Sequence, residues 1–269
     1  MFGRRILVCV PHPDDEVVAC AAAIGRARAE GAEVFALYLT DGCIPREAAW
    51  PWRRGGHAKD VARRRAEAET VAARLGLTPV GWAARPARRL WREFPEVLAE
   101  IRAAVEDCAP DQLWVPAYEG GNPDHDGLNG LAQVFADRLD VLEFAEYNYF
   151  RGAARAQQFP FPNGGEKTLI LSAEERERKK ALLDLYVSER QNLGYVGLER
   201  ECWRKLARYD YGQPPHPGAL WYARHQWVPF RHPRVDFTRP SELSQAIEAF
   251  LSDASASSAR VAWPASDPI

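Results

Sequence analysis

The sequence lacks the cysteine pattern of a disulfide-stabilised protein. Its five cysteines are widely spaced, and none belongs to a CxxC pair: Cys9, Cys20, Cys43, Cys108 and Cys202. An odd number at such spacing argues against a disulfide framework and against a zinc site built from thiolates. Free cysteines are typical of a reducing compartment, so we predict a cytoplasmic protein.

Long apolar runs and a strong charge imbalance are also missing. No apolar stretch approaches the roughly 20 residues that a membrane-spanning helix needs. The net charge of −2 is too small to indicate a surface for nucleic acid. We therefore predict no membrane and no nucleic-acid partner, while the oligomeric state stays open and includes a homo-oligomer.

Apolar runs alternate with helical patterns along the first 150 residues. The runs that predict buried strands cover residues 6–10, 34–39, 80–83, 112–116 and 141–145. The patterns that predict helices cover residues 17–29, 59–75, 95–108 and 128–139. This alternation indicates an α/β fold with right-handed crossovers and a mostly parallel sheet. The composition changes after about residue 150, where residues 152–166 are rich in Ala, Gln, Pro, Phe and Gly and predict a connecting loop. A strand over 167–171, a helix from 172 to about 186 and a helix over 240–251 are predicted after it.

A dense polar motif directly follows the first predicted strand. Residues 11–16 read Pro-His-Pro-Asp-Asp-Glu, so an imidazole and three carboxylates lie within five positions. A nucleotide-binding protein of this architecture would need a glycine-rich turn here, and this acidic loop instead repels phosphate. Pro13 disfavours helix at His12, which therefore projects from the strand tip before a helix begins.

A second polar cluster, residues 119–126, again follows an apolar strand. Loops at the carboxyl ends of neighbouring parallel strands meet in one crevice, so the two clusters can approach each other. His12, Asp15 and His125 would then supply two imidazoles and one carboxylate and leave a fourth position open, as catalytic zinc requires. Asp14 would face the water on that metal.

Each of these residues also has an ordinary interpretation. Asp14 or Asp15 alone is more typical of a helix N-cap, and Asp124-His125 alone of a turn before a helix. Two His/Asp clusters at two strand ends together favour a metal site.

These motifs resemble those of the PIG-L/LmbE deacetylase family. Residues 11–16 resemble its signature, a small residue followed by His-Pro-Asp-Asp-Glu, and residues 122–125, Asn-Pro-Asp-His, resemble its second motif, His-Pro-Asp-His. Weaker resemblances lie at 64–67 (Arg-x-x-Glu) and at 180–191. The resemblance implies a zinc-dependent N-acetylglucosaminide deacetylase on a Rossmann-like, three-layer sandwich fold.

The resemblance also implies a division of the chain. We expect a deacetylase domain over residues 1–195, an irregular, aromatic-rich C-terminal extension over 196–251 that packs on the same domain, and a disordered tail over 252–269.

Carried over by position, the resemblance implies roles for five residues. His12, Asp15 and His125 would bind zinc, and Asp14 would be the general base that activates the metal-bound water for attack on an amide carbonyl. Arg64 would bind polar groups of the substrate, although a solvated helix face is the alternative. The products would be a free amine and acetate or another short acid.

The chain departs from the family pattern at Asn122, where the family has a His. An Asn amide can donate a hydrogen bond to an oxyanion, but it cannot act as a general acid. Asp124, the usual partner of that His, would be catalytic or would support a metal ligand. The proton for the leaving amine would come back from Asp14, or from His216 or His225.

The sequence indicates the residues that contact the substrate less clearly than the metal ligands. Asp41 follows the second strand and would line the pocket, or form a plain turn. Trp50 and Trp52 would offer flat walls for a sugar ring, or simply pack. The predicted substrate is an N-acetylated amino sugar or glycoconjugate. The alternatives are a non-sugar N-acyl metabolite or a non-catalytic sugar-binding relic of the family, against which the presence of Asp14 argues.

Overall fold

The computed structural model describes residues 2–258, and within them one large sheet carries the fold. The strands are β1 (Arg5–Val10), β2 (Glu33–Tyr38), β3 (Thr78–Trp82), β4 (Gln112–Pro116), β5 (Asp140–Ala145), β6 (Tyr147–Asn148), β7 (Arg155–Ala156), β8 (Lys167–Ile170) and β9 (Arg200–Lys205). The helices are α1 (Asp15–Ala29), α2 (His57–Leu75), α3 (Phe94–Cys108), α4 (Pro123–Ala132), α5 (Ala173–Leu183) and α6 (Pro240–Ser258).

Seven strands form the sheet in the order β3-β2-β1-β4-β5-β9-β8. The first five are parallel to one another, β9 pairs antiparallel with β5, and β8 pairs antiparallel with β9 at the edge of the sheet. One apolar core lies between the sheet and α1, α2 and α5, and a second lies between the opposite face and α3, α4 and α6. Because β1 and β4 are covered on both faces, their residues are apolar without alternation. The predicted three-layer α/β sandwich is confirmed.

The order of the parallel strands creates a crevice between β1 and β4. The chain is wound from β1 through β2 to β3 in one direction and then from β4 to β5 in the other. Loops at the carboxyl ends of β1 and β4 therefore diverge, and such a switch point is where open α/β sheets bind ligands. His12 and Asp15, which follow β1, lie there beside His125, which follows β4.

Helix α1 contains a break that the Ala-rich sequence does not reveal. Cys20 has non-helical dihedral angles (φ −148°, ψ 25°). The Glu201 carboxylate accepts the N–H groups of Ala22 (3.0 Å) and Ala23 (2.8 Å). The buried Lys179 Nζ donates to Glu201 (2.8 Å) and to the carbonyl of Val18 (2.9 Å). A Lys–Glu pair thus replaces the helical hydrogen bonds that the break removes.

The late part of the chain is more ordered than its sequence indicated. Strand β9, which was not predicted, lies between β5 and β8, so residues from the 196–251 segment share one sheet with the 1–195 segment. Helix α6 extends to Ser258, so residues 252–258 are helical and do not start a tail. Residues 259–269 of the expected tail lie outside the described residues. Over the described range, none of the helices is long and apolar enough to cross a membrane.

Helix α4 also begins earlier than predicted, at Pro123 instead of residue 128. Asn122 caps its first turn, and Pro123 occupies the first helical position, where its missing N–H costs nothing. Asp124 and His125 therefore lie in the first turn of a helix and not in a loop.

Candidate metal centre and active site

The loop between β1 and α1 gives its acidic side chains different partners. Asp14 has a φ of 134°, a conformation that costs a non-glycine residue about 1–3 kcal/mol. Its N–H donates to Glu16 Oε2 (3.1 Å), and Glu16 Oε1 accepts the hydroxyl of Tyr186. This strained turn directs Asp15 towards the histidines of the crevice and Asp14 towards α2.

Three donor atoms from the two motifs form a nearly equilateral triangle. His12 Nδ1 lies 3.1 Å from His125 Nε2 and 3.2 Å from Asp15 Oδ2, and His125 Nε2 lies 3.1 Å from the same oxygen. All three side chains are buried. A tetrahedral ion with bonds of about 2.0–2.1 Å holds its ligands about 3.3–3.4 Å apart, so the triangle has nearly the required size.

The charges around the triangle also suit a cation. Burial alone would raise the pKa of Asp15, but His125 and His12 hold it well below its usual range. Burial raises the pKa of Glu146 well above its usual value, and the charge of Asp15 adds to the effect. Buried carboxylates at this density need positive charge close by. Two imidazole nitrogens and a carboxylate oxygen fit zinc or another first-row divalent ion.

Asp124 fixes the orientation of His12. Its Oδ2 accepts a hydrogen bond from His12 Nε2 (2.9 Å) and one from the N–H of Arg88, and its Oδ1 accepts the N–H of Leu90 (3.1 Å). With Nε2 as the donor to Asp124, Nδ1 is the nitrogen that a metal ion would bind in place of a proton. Burial lowers the pKa of His12, but Asp15 and Asp124 outweigh it and raise that pKa to about 10.

Glu146 is a buried acidic residue of this site that sequence reasoning missed. It directly follows β5, the next strand of the sheet after β4. Residues at the carboxyl ends of neighbouring parallel strands meet in one crevice, and this strand-end rule, which singled out the other site residues, also applies to Glu146. It is 1% exposed, and its Oε2 lies 3.6 Å from His125 Nδ1. Neither of its carboxylate oxygens has a hydrogen-bond partner in the described part of the chain.

Arg64 lies against Asp14. Its Nη2 donates to Asp14 Oδ2 (3.1 Å), and its Nη1 pairs with Glu189 Oε1 (2.6 Å). Arg64 is 3% exposed, whereas Arg63 and Arg65 face solvent, so the alternative of a solvated Arg64 is wrong. Burial raises the pKa of Asp14 to about 8, although the positive charge of Arg64 acts in the opposite direction.

The two weak sequence patterns form one structural unit. Glu67 accepts the N–H (3.1 Å) and the hydroxyl (2.5 Å) of Ser188, and Arg64 Nη1 donates to the same hydroxyl (3.1 Å). The turn at Val187–Glu189 is thereby fixed to α2. Its contacts hold the Arg64 guanidinium at Asp14.

Asn122 lies between the backbone of α4 and an aromatic cluster. Its Oδ1 accepts the N–H of Asp124 (2.9 Å) as the helix N-cap. Its amide group hydrogen bonds to the Tyr147 hydroxyl, which partly offsets the burial that raises the pKa of Tyr147. The Tyr147 ring stands edge-on to His125, with ring centroids 5.9 Å apart.

Tyr147 belongs to an aromatic wall beside the metal centre, which we define as Tyr147, Tyr195 and Trp221. The ring centroids lie 4.3 Å (Tyr147 to Tyr195), 5.3 Å (Tyr147 to Trp221) and 5.4 Å (Tyr195 to Trp221) apart. The three rings come from distant segments without periodicity, so no sequence signal joined them.

The expected pocket residues Asp41, Trp50 and Trp52 have other partners. Asp41 Oδ1 accepts the N–H of Cys43 (2.8 Å), the geometry of a turn. Trp50 and Trp52 stack with ring planes 6° apart, and Trp50 also meets the edge of His232. Trp52 is 75% exposed, so this pair forms part of the outer surface.

The two histidines considered as proton donors differ. His225 is exposed. His216 is buried beside Gly120, and its Nδ1 bonds to the carbonyl of Pro217 (3.0 Å). Burial lowers the pKa of His216, which favours the neutral ring with a bare Nε2 lone pair. A neutral His216 has no proton on Nε2 to give.

Comparisons with solved structures show a similar fold over most of the chain. The structure of the A40926 pseudoaglycone deacetylase has 19% identity and a TM-score of 0.59 to this chain. A deacetylase of teicoplanin biosynthesis has 20% identity and a TM-score of 0.61, and a zinc-inhibited form of teicoplanin deacetylase has 19% and 0.58. Each alignment covers 77% of this chain and 99% of the other. A search of curated proteins gave no match.

A family model adds evidence from the sequence itself. Residues 7–135 match PIG-L, described as GlcNAc-PI de-N-acetylase, and that range includes both polar motifs and all three corners of the triangle. Over residues 7–135 this chain is therefore similar to the PIG-L family, in the range that holds both motifs.

Proposed function

We propose that this protein is a metal-dependent amide hydrolase that removes an acetyl or short acyl group from an N-acylated amino sugar or glycoconjugate. The observation that carries the proposal is the buried triangle of His12, Asp15 and His125, with Asp14 beside it. The family of residues 7–135 and the deacetylases of similar fold support the same chemistry.

His12, Asp15 and His125 would hold the ion, and zinc is the metal we propose. When bound, zinc lowers the pKa of water to about 7 and polarises a carbonyl group. Asp14 takes the proton of the water that attacks the amide. Its pKa of about 8 is near neutrality, so it can accept that proton and return it to the leaving amine.

Asn122 would stabilise the oxyanion that forms during the attack. Its Oδ1 is engaged by the N–H of Asp124, which turns its amide N–H groups away from the helix and towards Tyr147. Since Asn122 carries no exchangeable charge, the proton for the leaving amine comes from Asp14 in this proposal. Asp124 acts through His12 and is a positioning residue.

The aromatic wall would contact the substrate beside the reacting amide. Tyrosine and tryptophan rings offer flat apolar faces with a polar edge, which suits a sugar ring. Arg64 would act through Asp14, because its guanidinium is engaged by Asp14 and Glu189.

The test is a screen for amine and acetate release by the zinc-loaded protein. N-acetylglucosamine, its glycosides, its nucleotide-linked forms and simple N-acyl amines would be compared. We expect release from at least one amino-sugar substrate and a loss of at least about 10³-fold in kcat for Asp14→Asn. Arg63→Gln, at the exposed neighbour of Arg64, is the matched control and keeps full activity.

Two outcomes would contradict the proposal. Release only from non-sugar amides would show that the protein is an amide hydrolase with a different class of substrate. A protein that binds zinc and releases no amine from any compound would instead be the sugar-binding relic. Because a similar deacetylase is known in a zinc-inhibited form, the screen should include one equivalent and an excess of zinc.

A further inference from the structure

The two histidines of the triangle point different nitrogens at its centre. His12 contributes Nδ1, and its Nε2 donates to Asp124. His125 contributes Nε2, and its Nδ1 faces Glu146 at 3.6 Å. Each ring therefore has a buried carboxylate on the side away from the centre.

A histidine ligand needs such a partner for two reasons. A hydrogen bond to the outer nitrogen fixes the tautomer, so that the inner nitrogen keeps its lone pair, and it makes the ligand more basic. Removal of such a partner typically weakens metal binding about 10–100-fold.

We propose that Glu146 is the positioning residue of His125, accepting its Nδ1–H and so directing the Nε2 lone pair at the metal. The proposal rests on the metal centre of the proposed function. Each histidine ligand would then have a carboxylate partner on its outer nitrogen, Asp124 for His12 and Glu146 for His125.

Two hydrogen bonds fix the backbone of Glu146 beside His125. Its N–H donates to Glu119 Oε1 (2.6 Å), and its carbonyl accepts the N–H of Gln157 (2.9 Å). The backbone is thereby fixed at the end of β5, and the side chain lines a small pocket together with Asp15 and Glu16. In the described part of the chain, His125 is the cationic side chain that lies within ion-pair distance of Glu146.

If Glu146 only stabilised the fold, we would expect its carboxylate to accept hydrogen bonds from neighbouring side chains, as that of Glu143 does. Glu143, three positions earlier in the chain, is also fully buried, and it receives hydrogen bonds from Arg204, Asn129 and Tyr209. Glu146 has none of these stabilising donors among the described residues. A buried carboxylate without such donors is costly to keep, and a role at the metal centre explains its presence.

The experiment measures metal affinity of the full chain, with zinc alone as the probe. Zinc dissociation constants would be obtained by competition with a chromophoric chelator for the wild type, Glu146→Leu, Glu146→Gln and the matched control Glu143→Gln. We expect about 10–100-fold weaker binding for Glu146→Leu and a smaller loss for Glu146→Gln, whose amide oxygen still accepts a hydrogen bond. Glu143→Gln should bind zinc as the wild type does.

A spectroscopic readout separates positioning from folding. The visible absorption bands of the cobalt-substituted protein report the ligand field, and we expect them to shift in both Glu146 variants and not in Glu143→Gln. In the zinc-loaded wild type, ¹⁵N NMR of histidine should show His125 with its proton on Nδ1.

Distinct results would overturn this inference and the proposed function. A folded Glu146→Leu with wild-type zinc affinity and an unchanged cobalt spectrum overturns the role of Glu146 alone. If that variant does not fold, the same result for Glu146→Gln overturns it. A wild type that binds no divalent metal overturns both, whereas metal binding with the expected Glu146 effects and no amine release overturns the proposed function alone.

Discussion

At the scale of single residues, Asn122 caps a helix, and in the proposed function it also donates a hydrogen bond to the oxyanion. Its Oδ1 caps α4, and its amide N–H groups lie at the aromatic wall. We predict that Asn122→Ala and Asn122→Ser both lose about 10²–10³-fold in kcat, because each lacks the amide donor. Only Asn122→Ala should also lose about 1 kcal/mol of stability, since serine still caps the helix.

Elemental analysis and denaturant unfolding of the Asn122 variants would check this. Both variants should retain zinc, whereas His125→Ala should lose it because a corner of the triangle is gone. An Asn122→Ser protein with wild-type kcat would rule out the amide as an oxyanion donor.

The contact between Arg64 and Asp14 leads to a prediction about pH. The charge of Arg64 opposes the rise in the pKa of Asp14 that burial causes, so its removal raises that pKa further. Asp14 must be ionised to accept a proton. In Arg64→Met the acidic limb of the kcat–pH profile should therefore move to higher pH.

The pH profiles of wild type, Arg64→Met and Arg63→Gln would be compared on one substrate. Arg63 is exposed and pairs with Asp60, so its variant is expected to keep the wild-type profile. An unshifted acidic limb in Arg64→Met would show that Arg64 does not tune the base.

The strand-end rule explains how much of the site was accessible from the sequence. It brought His12 and Asp15 of one motif together with His125 of the other, because β1 and β4 are neighbours. It gave no indication that Arg64 faces Asp14, since three consecutive arginines look alike in a sequence. Glu146 follows β5 as a single carboxylate outside any His/Asp cluster, so no polar motif marked it.

At the scale of elements, the break in α1 is held by one buried ion pair. Lys179→Met should destabilise the protein by about 3–5 kcal/mol, because it leaves Glu201 buried without its cation. Lys180→Met is the matched control: Lys180 is 63% exposed at its side chain and should change stability by less than about 0.5 kcal/mol. Urea unfolding of the two variants would decide, and equal stabilities would show that the pair does not hold the break.

Strand β9 shows why the later elements were harder to predict. Its sequence, Arg-Glu-Cys-Trp-Arg-Lys, carries charges at positions that the structure buries. Glu201 is paired with Lys179, and Arg204 with Glu143 and Glu166. Partners so distant in sequence make a buried strand look like a polar loop. The earlier strands consist mostly of apolar residues and were predicted to within a few residues.

At the scale of the whole molecule, buried carboxyl groups make stability depend on pH. Burial raises the pKa of Glu119 to about 7 and that of Asp126 to about 8. The folded protein therefore keeps these protons to a higher pH than the unfolded chain. Their stabilising effect is complete below the unfolded pKa of about 4 and is lost as the pH rises through about 7–8.

We predict that the Tm of the chelator-treated protein falls between about pH 5 and pH 8. Calorimetry across that range would measure it. Glu119→Gln cannot titrate, so its Tm should fall less steeply than that of the wild type. A wild-type Tm that rises over the range would contradict the prediction.

The switch point between β1 and β4 also sets an order of events during synthesis. A nascent chain that has emerged as far as β3 carries His12 and Asp15 but not His125, which arrives only after β4. The triangle is complete once β4 has paired with β1, and Glu146 reaches it later still, at the end of β5. Under the proposed function, an ion would bind only to a sheet whose central strands are already joined, so metal loading would report that the two halves of the fold have met.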